Sequence, residues 1–386
     1  MQSPIYLDYN ATTPCDPQVL DTMLPYFTQQ FGNAASTHPL GWSAGAAVEK
    51  ARGQVAQLIG ATAQEIIFTS GATEADNLGI KGVFEAYAAK GHHIITVATE
   101  HKAVLDTCHH LEKLGAQVTY LPVDSLGHIS LEALENAITP QTILISVMYA
   151  NNETGVIHPI RAIGAIAKKY GILFMTDATQ AVGKIPVNVV EDGIDLLACS
   201  AHKIYGPKGV GALYVRRKDP RVTLTAQMDG GGHERGFRSG TMNVPGIVGF
   251  GKAAELCRLH LSEEYTRLSS LRNTLENGLL ALGQVTVNGD TSHRLPQVSN
   301  LAFGHVSGEM LSAAFTSKVA ISSGSACTAA SMEPSFVLLA MGIPDELARA
   351  SLRLSVGRFT TEAEITTVVE TISTAVSKLR QQVFSL

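Results

Sequence analysis

Five short segments hold side chains that can do chemistry, and each follows an apolar run. SAHKIYGPKG carries Lys203 behind LLAC. A lysine acts as an amine nucleophile when its pKa is lowered, and a partly desolvated strand end supplies that. Ser200 and His202 lie beside it as phosphate ligands, and the glycines let backbone approach closely. GPKG lacks the GK[ST] ending of a nucleotide phosphate loop. Lys208 and Lys184 are rival lysines, both in turn-like contexts that suit solvated side chains.

Asp177, in FMTDATQ, follows another apolar run. A carboxylate there is costly to bury without a positive partner. A protonated pyridine nitrogen is one such partner; a structural salt bridge is the other. Gln180 lies one turn onward. In SGATEAD, Gly71 permits a tight turn before Ala72 and Thr73, which open a helix. The free N–H groups of a helix start, with a hydroxyl beside them, bind phosphate, although an ordinary helix cap uses the same residues. His101 stands in ATEHKAV, where a structural histidine is the plainer reading. Asn151 and Asn152 stand in YANNETG, where side-chain amides orient a ring hydroxyl or a carboxylate, or merely hold a turn. Each segment alone is weak. Together they supply a phosphate cradle, a pyridinium partner, ring contacts and a Schiff-base lysine, which is what pyridoxal 5'-phosphate requires.

These residues need a scaffold that brings strand ends together. Between about residues 60 and 217, β-rich runs alternate with helical ones. The strand candidates are EIIFTSG, HIITVATE, QVTYLPV, TILISVMYAN, ILFMTDA, LLACSA and GALYVRR. Several are continuously apolar, as strands buried on both faces are. Helix candidates lie between them at 74–90, 103–114, 131–138 and 159–170, with Gly91, Gly115 and Gly171 placed as C-caps for three of them. The alternation predicts a mainly parallel α/β sheet with helices on both faces, and such sheets bind ligands at the carboxyl ends of their strands. After Gly240 the texture changes. A helical stretch over about 247–282, with one break, precedes the short strands QVTVNGD and SNLAFGHV, the Gly/Ser-rich ISSGSACTAAS and an amphipathic helix from about Thr361. A smaller α+β unit is expected there.

Composition fits this reading. The chain has 386 residues, enough that two structural units are expected. A net charge of -5 without a basic patch excludes a nucleic-acid binder, and Arg216-Arg217-Lys218 reads as a solvated strand end. The five cysteines are dispersed and form no CxxC pair, so no disulfide framework or zinc site is supported and a reducing compartment fits. With no secretory signal and no membrane-spanning run, a cytoplasmic protein is the expectation.

The chain resembles fold-type I pyridoxal-phosphate enzymes of the class V aminotransferase superfamily and, within them, the cysteine desulfurases. YLDYNATTP, GNAASTH, TSGATEADN, TEHKAV, NNETG, DATQAVGK, SAHKIYGPKG, GGGHERGFRSGT, SSGSACTAASMEPSFVL and SLRLSVGR carry the resemblance, and they cover nearly the whole chain. It implies a large cofactor-binding domain over 15–255 and a small domain from 1–14 and 256–386. Lys203 would carry the cofactor, Asp177 pair with the pyridine nitrogen, His101 stack on the ring and Gln180 face the phenolic oxygen. Ala72, Thr73, Ser200 and His202 would bind the phosphate. Thr241 would reach the phosphate of a second copy, which implies a homodimer. Asn152 and Arg353 would hold the substrate carboxylate. Cys327, in the SGSAC segment of the long-loop type, would take sulfur from L-cysteine as a persulfide, leave L-alanine, and pass the sulfur to an acceptor such as an iron–sulfur scaffold. No metal is implied. Other reactions on the same cofactor, by a selenocysteine lyase, C–S lyase or aminotransferase, stay open, as does a sulfur-assembly platform with little turnover. GNAASTH has Ala34 where the family often has proline. Housekeeping members also carry a longer tail than LRQQVFSL, so docking to the scaffold is the point the resemblance leaves open.

Overall fold

The structure is a computed structural model that describes residues 3–322 and 333–383. Its strands are β1 (Ile5–Tyr6), β2 (Ile66–Thr69), β3 (His93–Val97), β4 (Gln117–Leu121), β5 (Thr142–Ser146), β6 (Leu173–Asp177), β7 (Leu196–Ser200), β8 (Gly211–Val215), β9 (Val285–Val287), β10 (Val298–Phe303), β11 (Val319–Ala320) and β12 (Ser351–Ser355). The α-helices are α1 (Pro17–Met23), α2 (Pro25–Thr28), α3 (Pro39–Leu58), α4 (Ala72–Ala86), α5 (Lys102–Glu112), α6 (Leu131–Asn136), α7 (Ile160–Tyr170), α8 (Val244–Leu280), α9 (Gly308–Ala313), α10 (Phe336–Ala340), α11 (Asp345–Arg349) and α12 (Glu362–Val383).

All seven apolar runs form strands, in one sheet of order β2-β8-β7-β6-β5-β3-β4. Only β8 runs against its neighbours. The carboxyl ends of the other six therefore share one edge. Except in the edge strand β4, their apolar continuity follows from burial on both faces. Along β7, Leu197 and Cys199 join the core beneath α3, α7 and α8, while Leu196 and Ala198 join the core beneath α4 and α5. A separate core gathers Leu7, the far half of α8 and α12 around the antiparallel sheet β12-β10-β9.

Three expectations about elements need correction. The helix expected to break within 247–282 is continuous over 37 residues. It packs its first half on the large sheet's core and its second half on the smaller one, so its apolar stripe changes partner without a kink. Gly171 is a left-handed cap of α7, with φ +67, and Gly115 takes φ +97 just past α5. Gly91 is not a cap. A Cβ on it would lie 2.2 Å from the carbonyl oxygen of Gln141, so close approach, not chain reversal, requires glycine there. Arg216 is not solvated: it pairs with Asp195 at 2.9 Å, while Arg217 and Lys218 are exposed.

Candidate active site

At the shared edge lies a cavity of about 840 Å³. It is lined by the residues that follow the carboxyl ends of β2, β3, β5, β6 and β7, closed by the N-terminal segment and by β12. Sequence reasoning placed Ala72, Thr73, His101, Asn152, Asp177, Gln180, Ser200, His202, Lys203 and Arg353 at one site, and all ten line this cavity. Thr241 is exposed and does not line the cavity of its own chain. Cys327 and its SGSAC segment lie outside the described residues. Their flanks do not: Ser322 bridges Arg353 through an N–H to carbonyl bond of 2.9 Å, and Glu333 to Phe336 line the cavity.

Lys203 ends the turn after β7. Its Nζ donates to the carbonyls of Asn10 at 2.6 Å and Ala11 at 2.8 Å. The N-terminal segment wraps this turn. Thr13 donates through its backbone and its hydroxyl to the His202 carbonyl, and its oxygen accepts the Tyr205 N–H at 2.8 Å. Asn10 also accepts from Gln180 Nε2 at 3.0 Å and donates to the Asn152 carbonyl at 3.1 Å. Asn10 is therefore central to the site. Sequence reasoning gave it no role, because a loop asparagine carries no signal of which strand ends it will join.

The start of α4 faces the cavity. Its cap, Gly71, offers no side-chain acceptor, so the first amides of the helix are left for a ligand. This approach needs glycine on the facing strand as well: a Cβ at Gly211 would lie 2.6 Å from the Gly71 carbonyl carbon. His202 Nδ1 meets Thr12 Oγ1 at 3.0 Å. Burial, then the nearby charges of Lys203 and Lys208, lowers its pKa to about 4, so it is a neutral hydrogen-bonding group. His101 caps α5, its Nδ1 accepting the Ala103 N–H at 3.1 Å. That assigns the neutral ring's proton to Nε2.

The floor is acidic. Asp177 is 7% exposed at the end of β6, and one oxygen accepts the Thr179 N–H at 2.9 Å. Beneath it lie two buried carboxyls that sequence reasoning missed, Asp76 on α4 and Glu100 after β3. Burial, and then neighbouring acids, pushes Asp76 well above the usual carboxylate range; burial and Asp177 do the same for Glu100. Both oxygens of Asp76 lack a partner among the described residues. Their only signal in SGATEAD and ATEHKAV is an acid close behind a strand end, beside the more conspicuous Thr73 and His101.

The asparagine pair divides its tasks. Asn151 holds the turn, its amide donating to the Thr99 carbonyl while its oxygen accepts the Glu153 and Thr154 N–H groups. Asn152 lines the cavity. Arg353 is 4% exposed on β12, donating to Asp8 at 2.7 Å and to the Asn152 carbonyl at 3.1 Å. Its Nε has no partner among the described residues. Lys184 corrects an expectation of solvation: it is 6% exposed, with its amine 4.6 Å from the centroid of the Tyr205 ring. Burial lowers its pKa. It does not line the cavity. Lys208 is exposed, as expected.

These residues fit pyridoxal 5'-phosphate. An uncapped helix start between two close-packed glycines suits a phosphate, and the buried Asp177 carboxylate at the end of β6 suits a protonated ring nitrogen.

A doubly covered, mainly parallel sheet with lysine, acid and phosphate cradle at successive strand ends defines a fold-type I pyridoxal-phosphate enzyme. The Aminotransferase class-V family profile matches residues 5–368, and the chain belongs to that family. It is 57% identical to the cysteine desulfurase IscS of Anaeromyxobacter sp. (strain Fw109-5) over 383 residues, 99% of this chain and 94% of that protein. Among solved structures, a NifS-like protein superposes with a TM-score of 0.91 at 37% identity, covering 97% of this chain and 100% of that one. SspA in complex with cysteine gives a TM-score of 0.81 at 36% identity, covering 92% of this chain and 100% of that one.

Proposed function

We propose that this protein is a cytoplasmic, pyridoxal-phosphate-dependent cysteine desulfurase. It converts L-cysteine to L-alanine, leaves a persulfide on Cys327, and supplies that sulfur to iron–sulfur cluster or other cofactor synthesis. One observation carries the reading: Lys203, Asp177, His101, the α4 cradle and Arg353 meet in one cavity, which Glu333 to Phe336 beyond the Cys327 segment also line and whose Arg353 bonds Ser322 before it. No helix among the described residues is long and apolar enough to cross a membrane.

Ala72, Thr73, Ser200 and His202 would hold the phosphate, Asp177 the ring nitrogen, Gln180 the phenolic oxygen and His101 the ring face. Thr241 would reach the phosphate of a second copy in a homodimer. The cofactor, when bound, draws electrons from the amino acid's Cα. Arg353 takes the substrate carboxylate beside Asn152, since a guanidinium binds a carboxylate with paired charge-assisted bonds. Lys203 moves the α-proton at Nζ. His101 Nε2 assists proton transfer. Cys327 Sγ, as thiolate, attacks the substrate sulfur. A sulfur–sulfur bond forms, the carbon–sulfur bond breaks, and protons from solvent complete the methyl group of alanine. Cys327 lies five residues beyond Ser322, so an extended chain reaches about 17 Å from that anchor. Residues 15–255 would form the cofactor-binding domain, with 1–14 and 256–386 the smaller one.

Cys327→Ser should retain the cofactor's visible absorbance and its response to L-cysteine, yet form no alanine. Undiminished alanine would overturn the assignment of Cys327. Pyruvate in place of alanine from the parent enzyme would identify a C–S lyase.

A further inference from the structure

Glu153 is a buried carboxylate in the active-site cavity, and the reaction as described gives it no task. It is 3% exposed. Its Oε2 accepts the hydroxyl of Ser335 at 2.5 Å, and Ser335, itself 4% exposed, also accepts the Leu338 N–H at 3.2 Å to cap α10. Burial raises Glu153 to about 7 against the pull of Ser335, Arg353 and His101. Such a group is expensive to keep, and structures retain such groups where they fix a geometry.

The geometry concerned is visible in the neighbouring bonds. Glu153 donates its N–H to Asn151 Oδ1 at 2.8 Å, and its carbonyl accepts from Asn300 Nδ2 at 3.2 Å on β10. The preceding carbonyl, of Asn152, accepts from Arg353. Arg353 in turn donates its backbone N–H to Ser322. One rigid turn thus holds Ser335, which follows residues 323–332, and through Arg353 it holds Ser322, which precedes them.

We propose that Glu153 is a positioning residue for sulfur transfer: through Ser335 it fixes the exit of the segment carrying Cys327 relative to the arginine that binds the substrate carboxylate. The proposal rests on the desulfurase reading above. Glu153 touches neither cofactor nor substrate in this role. Its effect should fall on the step in which two sulfurs must meet, because misplacement by about 1 Å costs up to about 100-fold in rate.

The test uses the full-length holoenzyme and its Ser335→Ala, Ser335→Thr and Glu153→Gln variants. Ser335→Ala should slow single-turnover sulfur addition to Cys327, and kcat, by about 10-fold, with KM for L-cysteine within about twofold of the parent. Cofactor content and the spectral response to L-alanine should be those of the parent. Ser335→Thr, which returns a hydroxyl, should recover most of the rate. Glu153→Gln keeps size and an acceptor oxygen but loses charge, and should fall between parent and Ser335→Ala. An unchanged transfer rate in Ser335→Ala overturns the proposal, as does a loss confined to KM or cofactor content, or a Ser335→Thr no faster than Ser335→Ala. If Ser335→Ala does not fold, Glu153→Gln decides, with parental transfer contradicting the proposal. A parent that places no sulfur on Cys327 would instead refute the desulfurase reading.

Discussion

The floor of the cavity and its β12 wall are built on opposite terms. Floor groups end the strands of a sheet covered on both faces, and the backbone fixes where each one stands. Lys203 is tied to two carbonyls and Asp177 to a following N–H. The wall hangs on side-chain pairings. Arg353 donates to a single oxygen of Asp8 and to one carbonyl. Arg294 gives the contrast: it donates to both oxygens of Glu276, at 2.7 and 2.8 Å, and Ser299 donates to the same carboxylate. Arg294 is a closed pair that holds the smaller unit together. Arg353 is an open one, and in the proposed reaction it exchanges Asp8 for the substrate carboxylate. The two buried arginines thus differ in whether they hold both oxygens of their carboxylate partner or only one.

The largest effect should come from the floor. Lys203→Ala removes the amine proposed to carry the cofactor and move the α-proton, and alanine formation should fall by at least about 1000-fold. Steady-state assay with added cofactor measures it, and a residual rate near the parent's would transfer the role to another lysine. Next is the closed pair. Arg294→Met strands Glu276 in the interior and should cost about 3–5 kcal/mol of stability, read by denaturant unfolding, with KM for L-cysteine little changed in whatever protein folds.

The open pair should behave the other way. Arg353→Met should raise KM for L-cysteine about 10- to 100-fold, the loss of one or two charge-assisted bonds, while cofactor content stays that of the parent. A large stability loss with an unchanged KM would make Arg353 another closed pair and erase the contrast. The smallest effect concerns the acids beneath the floor. Asp76 has its folded pKa raised by burial, then by Asp177 and Glu100. Its contribution to stability is therefore full below the unfolded carboxylate pKa of about 4 and is lost as pH rises toward the folded value. Melting temperatures from pH 5 to pH 8 should fall less in Asp76→Asn than in the parent, both with cofactor bound. Parallel curves would show that Asp76 is ionised in the fold.

The floor was legible in the sequence and the wall much less so. Strand ends can be read because apolar runs have edges: the residue where IIFT, LFMT or LLAC stops is visible in one dimension. Arg353 sits inside SLRLS with no such edge, and it entered through resemblance alone. Asn10 and Glu153 could not be read at all, since their partners, Lys203 and Ser335, are more than a hundred residues away. Lys184 was misjudged for the same reason. Its turn-like sequence gives no hint that Tyr205 and, on α8, Cys257 and Glu264 stand near it.

The central claim is that floor and wall cooperate to place sulfur on Cys327. Mass spectrometry of the holoenzyme after brief exposure to L-cysteine, without a thiol reductant, tests it most directly. We expect the Cys327 peptide to gain the mass of one sulfur atom in step with alanine release, and the Cys327→Ser enzyme to gain none. Alanine release with sulfur on another cysteine, or on none, would contradict the account.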